Sequence, residues 1–188
     1  MKKILFLLIF LIVPANAEIV TSTGKHKHLG EISANESCKI AIARAKKNAP
    51  KAHCHNDILS VELWYSGKPI FIDPGTFCYT PNPEKRNYFR SNRNHNTVTI
   101  NGEDYNDLNK GLFHVNWKTR SELNKWETNN NSIQFIGKNK LINGISIIRT
   151  IEYVFQSQSF IITDNVIGDI NGNDKIRSNW HLHPDIKI

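Results

Sequence analysis

From residue 57 onward, apolar and polar residues alternate. Leu59, Val61, Leu63 and Tyr65 interleave with Ser60, Glu62, Trp64 and Ser66, the two-residue period of a half-buried strand. Ser66-Gly67-Lys68-Pro69 reads as a turn, and Ile70-Phe71-Ile72 runs back to Asp73-Pro74-Gly75, giving a hairpin. Thr97–Ile100 ends at Asn101-Gly102, a strong hairpin-turn signal. Further strands are expected at Ser132–Phe135, Ile145–Phe155, Phe160–Val166 and Lys175–His183, separated by polar turns. Consecutive strands without interleaved helices predict an all-β fold, an antiparallel β-sandwich.

Residues 18–52 break this rhythm. Ser33 and Glu36 have the spacing of a capping box, and Cys38, Ala41, Ile42, Ala45 and Ala49 recur at helical spacing until Pro50. A short helix packed on the domain is expected there. Ahead of it, Met1-Lys2-Lys3 precedes an apolar run and then Ala15-Asn16-Ala17, the layout of a cleavable signal peptide. The run is shorter than the roughly 20 apolar residues of a spanning helix. Residues 1–17 are therefore expected to be a leader, with no stable membrane anchor and a periplasmic or secreted mature chain. Residues 18–52 form the short helical segment, and residues 53–188 form an incomplete sandwich.

Charge narrows the partners. The 188 residues carry a net charge of +7, which favours anionic partners. No run of arginines interleaves with aromatics, which argues for no nucleic acid and leaves an acidic polysaccharide, anionic lipid or a basic surface with no specific partner. Cys38, Cys54 and Cys78 are an odd number in an oxidising compartment, so one internal bridge is the maximum and the spacing selects no pair.

The candidate chemistry starts at His53-Cys54-His55-Asn56-Asp57. Side chains at i and i+2 on an extended backbone point the same way, so His53 and His55 share a face. With the hairpin turn centred between Ser66 and Gly67, Asp73 returns opposite Ser60, to the end where His55 enters. His95 precedes the next strand. Two imidazoles and a carboxylate suit zinc, with a fourth position open; the competing reading is three unrelated polar residues at strand ends. Arg86, Arg90 and Arg93 flank the His95 block. Arg90 and Arg93 are candidates for gripping an acidic sugar, against the alternative of a solvated basic loop. His181 and His183 repeat the i, i+2 spacing, and a pair facing solvent is expected over a fourth ligand.

Three blocks in order, His53-Cys-His55-Asn-Asp57, Gly67-Lys-Pro-Ile-Phe-Ile-Asp73-Pro-Gly75, and Tyr88-Phe-Arg-Ser followed by His95-Asn-Thr-Val, resemble the heparinase II/III-like polysaccharide lyases. The resemblance runs from about His53 to the C-terminus. It implies the C-terminal β-sandwich of that family, His53 as the catalytic histidine, and His55, Asp73 and His95 as ligands of one structural zinc ion. It also implies an α/α toroid that supplies a tyrosine, another histidine and groups neutralising the substrate carboxylate. Residues 18–52 are too short to be that toroid, so the chain is expected to be a truncated or rearranged lyase, or one half of a site that a separate toroid-bearing polypeptide completes.

The activity implied is β-elimination on uronic-acid-containing polysaccharides, by a chain not active alone. Two other classes remain. One is a non-catalytic, zinc-stabilised carbohydrate-binding module. The other is a non-haem iron oxygenase, since His55-Asn-Asp57 with a distant histidine mimics the two-His-one-carboxylate triad. Whether Asp73 or Asp57 joins the histidines separates this last class from the other two.

Overall fold

The computed structural model describes residues 3–12, 17–20, 54–65, 68–108, 111 and 115–187, the first two segments through their backbone alone. His53, Cys38 and the helix expected over residues 33–49 lie outside the described residues. Ten strands and one helix are described: β1 (Lys3–Ile12), β2 (Ala17–Val20), β3 (Glu62–Tyr65), β4 (Lys68–Phe71), α1 (Pro83–Arg90), β5 (Val98–Ile100), β6 (Arg120–Thr128), β7 (Ser132–Lys140), β8 (Ser146–Val154), β9 (Ser159–Ile167) and β10 (Ile176–Ser178). No helix among the described residues is long and apolar enough to cross a membrane.

One layer is a five-stranded antiparallel sheet in the order β1-β9-β8-β7-β6. The other joins two small sheets, β2-β3-β4 and β10-β5. A single extended stretch links these two, because β10 pairs with β5 while Leu182 bridges to Phe71 of β4. The stretch expected as one strand over Lys175–His183 therefore exists and changes partner midway. Between the layers, Val61, Leu63 and Phe71 pack with Ile151, Phe160 and Ile162, and Val98 and Ile100 pack with Ile145, Ile147 and Val166. β8 and β9 alternate buried and half-buried positions along their length, as a sheet with one face in the core requires.

Some elements differ from the sequence reading. In the unprocessed chain the apolar run read as a leader lies as β1, antiparallel to β9 at the sheet edge, and removing a leader would uncover β9's outward backbone groups. The β3–β4 hairpin keeps the expected register at its tip, Tyr65 opposite Lys68 and Trp64 opposite Pro69, then shifts by one so that Leu63 meets Phe71. Asn101 and Gly102 hold positive φ of 57° and 70°, and the Glu103 amide donates to the Ile100 carbonyl at 3.1 Å. That is the turn the pair predicts, yet β5 pairs with β10 rather than with the residues after the turn.

α1 was not anticipated. Asn82 caps it by accepting from the Lys85 amide, with Pro83 in the first turn. The residues α1 buries are Arg86 and Arg90, so it presents no apolar stripe.

Candidate metal centre

His55, Asp73 and His95 come together from three loops: the approach to β3, the exit of β4, and the approach to β5. Their ligand atoms all lie within 4.8 Å of one another. The Asp73 carboxylate contacts His95 Nδ1 at 2.6 Å and accepts from the Gly75 amide at 2.7 Å. The His55 and His95 rings stand 5.3 Å apart. His95 is fully buried, and its Nε2 has no hydrogen-bond partner among the described residues. Asp57 does not join the group, nor does Cys54, whose thiol is pushed up by burial and by Asp57, with Arg90 working against both.

The donors fit a divalent cation. Burial drives the His55 pKa down to about 4, helped by His95 and opposed by Asp73. Its imidazole is thus neutral near pH 7, the form that binds metal. Burial works against the Asp73 carboxylate, but the His95 hydrogen bond, its charge and the Gly75 amide hold it below the usual range. Two nitrogens and one oxygen suit zinc or another borderline ion.

The scaffold under the trio is polar and buried. Asn96, next to His95 and fully buried, donates from Nδ2 to the Val61 and Ile72 carbonyls at 2.8 and 3.0 Å. Its Oδ1 accepts from the His181 amide at 2.6 Å, and its own amide donates to Ser60 Oγ at 3.1 Å. One asparagine thereby ties the chain after His55, the chain before Asp73 and the C-terminal stretch to the His95 loop. Below it, Arg149 of β8 pairs in a fork with Asp164 of β9, at 2.7 and 2.8 Å. Its Nη1 also donates to the carbonyls of Leu59 (2.8 Å) and Asn96. Ser178 Oγ donates to Asp164 at 2.8 Å, and the Trp180 ring covers the guanidinium, 5.0 Å from its centroid. Gly137 sits opposite Arg149 on β7, where a Cβ would stand 2.5 Å from Leu59 Cδ2. Only glycine leaves that space.

The two arginines expected to grip sugar part company. Arg90 is fully buried, donating to the Cys54 carbonyl at 2.9 Å, to Asn87 Oδ1 at 3.0 Å and to the Gly111 carbonyl at 3.3 Å. It holds the backbone beside His55 and presents nothing to solvent. Arg93 is exposed and borders an open groove of about 560 Å³ with Tyr88, Asp104 and Lys118. His181 Nε2 lies 3.2 Å from the Arg93 carbonyl, and His183 lies 3.6 Å from Asp185; neither joins the trio. The Tyr105 hydroxyl is buried on the Val98 carbonyl at 2.9 Å and its pKa is pushed up by burial, whereas Tyr79 and Tyr88 are exposed.

Asn96 and Arg149 escaped the sequence reading. Arg149 was detectable in principle, because it falls in the buried phase of Ile147-Ile148-Arg149-Thr150-Ile151, and Asp164 falls in the buried phase of β9. A charge in each inward phase of neighbouring strands is the mark of a buried pair.

Known proteins share this architecture. A heparin-sulfate lyase from Bacteroides stercoris is 32% identical over 132 residues, which is 68% of this chain and 18% of that protein. The solved heparan sulfate lyase HepC from Pedobacter heparinus superposes with a TM-score of 0.56 at 25% identity, covering 70% of this chain and 19% of its own. A solved heparinase III matches with a TM-score of 0.53 at 26% identity, over 65% of this chain and 18% of its own. The chain thus spans less than a fifth of the length of these relatives. The profile of the family described as Heparinase II/III-like, C-terminal, matches residues 36–188, starting before His53, and the chain belongs to that family.

Proposed function

We propose that this chain is the sandwich part of a polysaccharide lyase that cleaves uronic-acid-containing acidic polysaccharides of the heparan sulfate kind, with an α/α toroid completing the site. The convergence of half-buried His55 and Asp73 on buried His95 carries this reading. They would hold one zinc ion, whose part is structural, fixing the loop that leads into His55.

In the elimination, a base removes the proton at C5 of the uronic acid. The electron pair forms the C4=C5 double bond, the C4–O bond breaks, and an acid protonates the departing oxygen. His53, two residues from His55, is the base on this reading, poised for proton transfer near neutral pH. The acid and the groups that neutralise the carboxylate come from the toroid. Arg93, exposed at the groove, is the cation left to meet the sugar's anionic groups. Residues 1–17 are read as a leader that brings the mature chain to the periplasm or outside the cell. The other reading is a non-catalytic zinc-stabilised carbohydrate-binding module, in which the same three ligands would only hold the loops in place. The iron oxygenase loses its discriminating residue, because Asp73 and not Asp57 accompanies the histidines.

The test is ultraviolet absorbance of the unsaturated product when the chain, mixed with the toroid domain of a heparinase II/III-like lyase, meets heparan sulfate. Product that disappears with His53→Ala supports the lyase. Glycan binding without product in any such mixture supports the module.

A further inference from the structure

The loop leaving Asp73 holds Phe77 at φ 60°, and the Cys78 amide donates to the Thr76 carbonyl at 2.6 Å across it. This is a three-residue turn with a bulky residue in the left-handed region, a conformation that costs stability and persists only where the surroundings impose it. Arg86 imposes it. Fully buried on α1, Arg86 donates from Nη1 to Thr76 Oγ1 and to the Cys78 carbonyl at 3.2 Å, gripping both flanks of Phe77.

The strain does not serve burial. Phe77 is 63% exposed, the most exposed aromatic ring among the described residues. Phe89 stacks against it at 5.2 Å and 8°, and the Lys85 ammonium lies 5.2 Å from its centroid. Lys85 and Phe89 are four apart on α1 and so share one helix face, which backs the ring and leaves its outer side open. Tyr79, two residues further along the chain, is also exposed, with the Arg86 guanidinium 5.0 Å from its ring.

We propose that Phe77, with Tyr79 two residues further along, is a stacking platform for a pyranose ring of an acidic polysaccharide. The electron-rich face of the phenyl ring meets the polarised axial C–H groups of the sugar, and Lys85 lies at the ring to meet a carboxylate or sulfate. The platform rests on the acidic-glycan reading above and adds to it the residue that contacts a sugar face. It stands on the loop that leaves Asp73.

The test uses the full chain, a size-defined heparan sulfate oligosaccharide in titration calorimetry, and thermal melts of Phe77→Gly and Phe77→Trp. Glycine relieves the turn, so the expected result is an equal or higher Tm with oligosaccharide affinity lowered about tenfold. Tryptophan is expected to retain binding, and metal content to stay unchanged in both variants. A lower Tm for Phe77→Gly with unchanged affinity overturns the platform and makes the ring a packing residue. Failure of the unmodified chain to bind any acidic oligosaccharide overturns the platform, while the function reading stands or falls by the unsaturated product formed in the mixture with the toroid. Loss of the toroid domain from Phe77→Gly, with glycan binding intact, overturns the platform in favour of a protein contact.

Discussion

The two sides of this sandwich are held by different chemistry. On the five-stranded sheet, the inward residues are mainly Ile147, Ile151, Phe160, Ile162 and Val166. On the loop side, the buried side chains include Arg86, Arg90, Asn92, His95, Asn96, Thr97 and Asn106. Apolar burial is strong but non-directional, so it sets the spacing of the layers without fixing any one atom. Hydrogen bonds are directional, and a buried polar group left unpaired is costly. A site whose three ligands come from three loops needs that second kind of constraint. Arg149 is where the two meet, because it stands on a sheet strand and reaches the carbonyls of Leu59 and Asn96.

The largest expected effect is at that junction. Arg149→Ala leaves Asp164 buried without its partner and is expected to cost about 3–5 kcal/mol in denaturant unfolding, with metal affinity falling as well. On the sheet side, Ile162→Ala is expected to cost about 3 kcal/mol through the cavity it opens, with metal affinity in the folded protein unchanged. Asn96→Ala is expected to cost about 2 kcal/mol, yet to weaken metal binding more than Ile162→Ala does. If Ile162→Ala proved the more damaging to metal affinity, the division between the two sides would not hold.

The same contrast decides what the sequence could show. β8 and β9 were legible because their inward phases are apolar except for one charge each, Arg149 and Asp164. β6 was not: its apolar residues, Leu123 and Trp126, are three apart, a spacing that fits neither phase of a regular strand. The structure supplies the reason, a register shift between Leu123 and Lys125 that adds one residue and returns both to the same face. α1 hid for a related reason, since the face it buries carries arginines rather than leucines. His55, Asp73 and His95 were legible through motif and hairpin spacing. Arg90 looked like a sugar contact because burial of a charge depends on distant carbonyls, here those of Cys54 and Gly111, which no local pattern encodes.

A smaller effect separates the sides by pH. In the metal-free chain, His55 titrates at about 4, below its ordinary 6.5. Between those values the unfolded chain binds more protons than the folded one, so stability falls as pH drops from 6.5 towards 4. Asp73, held below its ordinary value, adds loss of the same sign further into acid. Unfolding measured across this range is expected to show a decline that His55→Gln reduces and that Ile162→Ala leaves in place.

The most direct measurement is the metal content of the purified full chain beside that of Asp73→Ala, with circular dichroism confirming that both are folded. Near one zinc ion per unmodified chain, lost from the folded variant, is the expected result. Equal metal in the two proteins, or none in the unmodified chain after loading with zinc, would contradict the metal centre on which the proposed function stands.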